Sequence, residues 1–101
     1  MSRFYKRHAL VDAIAVANSD TYGEFAECEN TTVQTTGIVA TDIVLVQGSD
    51  EPTPATWVTL DTITTNTITV ITERPRWLRI RLSDISGGGT VNAYVHGVAV
   101  D

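Results

Sequence analysis

From Trp77 to Leu82 the chain alternates strictly: Leu78, Ile80 and Leu82 are apolar, while Trp77, Arg79 and Arg81 carry an indole or a charge. Successive side chains of an extended strand point to opposite faces, so this run has one face for a core and one for a polar environment. Beyond the glycines Gly87, Gly88 and Gly89, Val91, Ala93 and Val95 alternate in the same way with Asn92, Tyr94 and His96. The stretch from Glu73 to Val100 therefore reads as a β-hairpin closed by a glycine-rich turn. Four of the seven Lys and Arg residues, Arg74, Arg76, Arg79 and Arg81, fall on its first strand and make it a basic β-surface.

The rest of the chain extends the β reading. Leu10 to Ala17 fits a strand, although its alanines also permit a short helix, and Asn18-Ser19-Asp20 is a turn cluster. Ile43 to Val46 is an unbroken apolar run, the pattern of a central strand covered on both faces. Gly48 to Pro54 is the strongest loop, because its two prolines interrupt a ladder and its acidic residues favour water. Trp57 to Asp61 resumes an alternation with Val58 and Leu60 inward, and Thr67 to Thr72 places Ile68 and Val70 on one side. Threonine is the most frequent residue, and its branched β-carbon favours pleated structure. The expected architecture is all-β: a single antiparallel β-sandwich or jelly-roll-like domain of seven to eight short strands over residues 9–101, preceded by an extended N-terminal arm at residues 1–8.

Length and charge narrow the function classes. A chain of 101 residues has room for one modest core. The formal charge of −5 argues against a general nucleic-acid or anionic-membrane binder. Cys28 is the only cysteine, so no internal disulfide is expected. The basic start followed by the apolar run to Ala17 is too short, and too interrupted by Asp12, to be expected as a signal peptide.

No arrangement of residues announces catalysis. His8 and His96 sit in no zinc or triad motif, and the triple glycine lacks the lysine and hydroxyl of a phosphate loop. Asp50 and Glu51 are adjacent in a loop and do not flank a substrate as an acid/base pair would. That loop lacks the ligand spacing of an EF-hand calcium site. The expectation is a non-enzymatic protein with no metal and no cofactor.

Binding is the better use of these residues. Arg3, Phe4, Tyr5, Lys6 and Arg7 form a basic aromatic arm, and between His8 and Glu73 there is no Lys or Arg at all. Two basic clusters thus bracket an acidic body. Arg74, Arg76, Trp77, Arg79 and Arg81 are expected, with the arm, to contact an acidic partner, whose carboxylates a guanidinium fork pairs bidentately. Glu24, Glu27 or Asp61 of another subunit would serve. The alternative is a carbohydrate platform made of Trp57, Trp77 and Tyr94.

The segments VLVQGSDEPTPATWVTLDTI and PRWLRIRLSDISGGGTVNAYVHGV, which together span Val44 to Val98, resemble small virion proteins of tailed bacteriophages. That resemblance implies a capsid decoration or cement protein on the virion surface, a homo-oligomer, most often a trimer, that clamps neighbouring major capsid subunits. A phage tail or baseplate module, or a secreted carbohydrate-binding β-sandwich, is the alternative it leaves.

Overall fold

The structure, a computed structural model, describes residues 3–13, 17–19, 22–23, 30–84 and 90–100, with the side chains of residues 19, 30–84 and 90–97. Every regular element among them is a strand: β1 (Arg3–Ala13), β2 (Ala17–Asn18), β3 (Tyr22–Gly23), β4 (Asn30–Thr36), β5 (Ile43–Ser49), β6 (Val58–Ile63), β7 (Ile68–Ile71), β8 (Trp77–Asp84) and β9 (Val91–Val100). No helix among the described residues is long and apolar enough to cross a membrane.

Six strands, rather than the seven to eight expected, build the packed centre as two antiparallel sheets of three. One runs β9-β4-β7 and the other β8-β5-β6. The backbone of β1 extends the first sheet along β9, from Arg3 opposite Val100 to Ala13 opposite Val91. The short β2 and β3 both lie along β8. Residues 3–8, read from the sequence as an arm, thus run in one strand with Leu10, and their side chains lie outside the described ones. Glu24, Glu27, Cys28 and the triple glycine also lie outside the described residues.

The pairings nest. β5 pairs with β6, β4 with β7, β2 and β3 with β8, and β1 with β9. Two further pairings, β5 with β8 and β4 with β9, stitch the nested pairs into the two sheets. The result is sandwich-like.

This arrangement corrects the hairpin expected between Glu73 and Val100, since β8 and β9 belong to different sheets. Alternation fixes which side of a strand is apolar and leaves open whether two such strands pair edge to edge or oppose each other across a core. Here they oppose. Leu78, Ile80 and Leu82 of β8 share the buried core with Val91, Ala93 and Val95 of β9, joined by Val33, Val44, Val46, Ile63 and Ile71. Each fully buried leucine or isoleucine contributes about 1.5–3 kcal/mol relative to exposure. Facing the two strands buries both apolar sides against a large neighbour.

β5 is central, between β8 and β6. It is not covered on both faces, however: Val44 and Val46 are fully buried, whereas Ile43 and Leu45 are half-buried. Asp42, just before β5, is fully buried and its Oδ2 accepts the Val39 N–H at 3.1 Å. Gly37 opens that turn at φ +80°, and a Cβ there would lie 1.9 Å from the Thr90 carbonyl oxygen. Only glycine fits that approach without displacing backbone.

Candidate functional site

The outer face of the second sheet carries the polar half of the β8 alternation. Arg79 of β8 and Thr59 of β6 both lie opposite Gln47 of β5, and Trp77 lies opposite Ser49. Between Val46 and Gln47 the β5–β6 register shifts, because Val46 faces Asp61 while Gln47 faces Thr59. Leu60 is the extra residue of this β-bulge. It packs against the core while Thr59 stays on the outer face beside Gln47.

Those neighbours hold Arg79 in one geometry. Its Nε donates to Gln47 Oε1 at 2.8 Å, and Gln47 Nε2 donates to Thr59 Oγ1 at 3.4 Å. The guanidinium carbon lies 4.4 Å from the centroid of the Trp57 ring, a cation–π stack. Partial desolvation, and then the like charge of Arg81, lower the Arg79 pKa from its ordinary value. Among the described residues Arg79 meets no carboxylate. Arg81 lies two positions along the same face, opposite Leu45.

The loop between β5 and β6 frames this face at one end. Glu51 organises it: its Oε1 accepts the N–H groups of Ala55 at 3.1 Å and Thr56 at 2.5 Å, and the Ser49 hydroxyl donates to it at 3.4 Å. Those backbone bonds hold the Glu51 carboxyl below its ordinary pKa of 4.5. The indole of Trp77 donates to the Glu51 carbonyl at 2.9 Å, and the Arg76 N–H donates to Asp50 Oδ1 at 2.8 Å. Two loops remote in sequence are thereby clasped together. Ser49 and Gln47, polar residues on an outer face, are consequently buried at 6% and 8% exposure.

The predicted site residues separate under this geometry. Trp77, Arg79 and Arg81 lie on β8, whereas Arg74 and Arg76, expected on the same strand, sit in the loop before it. Pro75 ends the ladder there by lacking an N–H, and it packs where a Gly48 Cβ would be. Arg74 instead lines an open cleft of ≈ 690 Å³ together with Asp50, Glu73, Val58, Leu60 and Pro75. Val58, expected inward, is 61% exposed at this rim. The backbone of Arg3, Phe4, Tyr5, Lys6 and Arg7 runs in β1, on the other sheet from Arg79.

The three aromatic residues of the carbohydrate alternative are not brought together. Trp77 in β8 and Trp57 just before β6 belong to the second sheet, whereas Tyr94 stands 45% exposed on β9 of the first. One face of Trp57 is already covered by Arg79. Gln47 is the site residue that sequence reading missed. Its signal is a polar side chain closing an apolar run, one residue before the loop expected from Gly48, whereas the strand continues to Ser49.

Among the described residues no group of three or more His, Cys, Asp or Glu side chains is placed to hold a metal ion. Compared with known protein families, with curated proteins and with solved structures, the chain has no match in any of the three.

Proposed function

We propose that this chain is a non-enzymatic structural protein of a tailed-phage particle: a decoration or cement protein that sits on the capsid exterior as one copy of a homo-oligomer and clamps neighbouring major capsid subunits. The observation that carries the reading is Arg79, stacked on Trp57 and fixed by Gln47 and Thr59. A cation whose orientation is already set loses little further freedom when a partner carboxylate arrives, so more of the interaction appears as affinity. Arginine and tryptophan are also among the residues enriched at the energetic centres of protein interfaces. The polar groups around it are engaged in holding one another, which suits a fixed contact better than a reaction.

The strand order points the same way. Taking β2 and β3 as one interrupted strand, the first strand pairs with the last, the second with the next to last, and so inward to β5 and β6. That nesting is the order of a jelly roll, an architecture of viral capsid and lectin domains. A fold alone does not assign a function. What favours the capsid use in this proposal is the resemblance of Val44 to Val98 to small phage virion proteins.

Co-sedimentation with purified shells lacking the protein tests the contact. The wild type should bind saturably, and the double substitution Arg79→Glu with Arg81→Glu should weaken binding at least ~10-fold, equivalent to about 1.4 kcal/mol. Both side chains are on an outer face, so the variant should retain the wild-type circular dichroism spectrum. Undiminished binding by the folded variant would remove this face from the contact.

A further inference from the structure

The first sheet ends on β7, and no described strand pairs with its far side. A free edge exposes a row of N–H and C=O groups ready to accept another strand, and proteins usually blunt it with charge, proline or a bulge. β7 has none of these. From Thr62 to Thr72 the chain contains no charged residue, no proline and no glycine. The β4–β7 register runs from Thr31 opposite Ile71 to Gln34 opposite Ile68 without a shift. Ile68 and Val70 stand on the outer face at 64% and 62% exposure, and Gln34 places Tyr94 in the same row as Ile68.

We propose that β7 pairs antiparallel with β7 of a second copy of this chain, about a two-fold axis through Thr69. Sheet geometry restricts the register. Thr69 and Ile71 lie on the inward side, opposite the buried Val33 and Thr31, and Ile68 and Val70 on the outward side. Residues directly opposite in a continuous sheet must share a face, so even-numbered residues pair with even ones. An axis through Thr69 satisfies this and sets Ile68 opposite Val70 of the second copy, twice, in one apolar patch. The same strip serves both partners, as a two-fold interface requires.

The strip's self-complementarity points to a second copy as the occupant, and charge permits it. Two chains of formal charge −5 repel each other over most approaches, and along the uncharged Thr62–Thr72 run, which includes the free edge, they meet without opposing carboxylates. The contact lies on the sheet opposite Arg79 and leaves that face open. It stands independently of the virion reading, and it makes the soluble unit a dimer where the resemblance implies a trimer.

Cysteine cross-linking in a Cys28→Ser background tests the register. At the axis the two Thr69 Cα atoms would be about 4.5–5.5 Å apart, within disulfide reach. Two residues away the Thr67 positions would be ~14 Å apart, out of reach. Oxidised Thr69→Cys should therefore give a covalent dimer and Thr67→Cys should remain uncross-linked. Sedimentation equilibrium should show the wild type dissociating from dimer to monomer on dilution. Val70→Lys, at an exposed position, should raise the dissociation constant at least ~10-fold. Equal cross-linking at both positions, none at Thr69, a wild-type monomer or trimer, or a dimer indifferent to Val70→Lys would each overturn the proposal.

Discussion

At Arg79, stacking, hydrogen bonding and charge act on a single side chain, and their sum decides what the outer face can bind. Lysine at that position would keep a charge over Trp57 and lose the planar Nε donor to Gln47. A second residue, Glu51, does comparable work for the loop, with a measurable pH signature. Because its folded pKa lies below the unfolded value near 4.5, its contribution to stability is present above that pH and is lost as pH falls through the lower, folded value. Glu51→Gln should therefore lower the urea midpoint at pH 7 and lower it much less at pH 3. An equal loss at both values would mean that the Ala55 and Thr56 N–H groups do not depend on the carboxylate charge.

At the scale of elements, the bulge at Leu60 and the glycine at position 48 set where the loops meet the sheet. A Cβ on Gly48 would lie 2.7 and 2.8 Å from Pro75 Cβ and Cγ and 3.0 Å from Leu60 Cδ1. Proline is a stiff neighbour, so relief must come from backbone movement at the start of β8. Gly48→Ala should destabilise the fold by about 1–3 kcal/mol in urea denaturation, the usual cost of overpacking. A neutral effect would show that the loop from Thr72 to Arg76 yields easily. The inward sides of β8 and β9 were legible, because a period of two assigns faces without reference to any partner. Their placement in opposite sheets was not, since that depends on which neighbours complete each ladder. Arg79 and Arg81 could be read as outward. The stack on Trp57 could not, because it depends on one extra residue at Leu60 and on a loop held by Glu51. Val58 misleads for the same reason: its parity in the strand is apolar and inward, yet it ends 61% exposed at an open rim.

Over the whole molecule, nested pairing leaves two outer faces and unequal edges. One sheet presents the fixed arginine beside tryptophan, and the other presents Ile68 and Val70 on an uncharged edge strand, with Tyr94 two strands in on the same outer face. In the proposed particle the first face meets the shell and the second meets another copy, so that many modest contacts across symmetry-related subunits add up to firm attachment. Quantitative mass spectrometry of purified virions gives the copy number of this chain relative to the major capsid protein. A protein that clamps the shell should be present in a number of the same order as that of the major capsid protein. Absence from washed virions, or the handful of copies typical of a tail tip, would contradict that role.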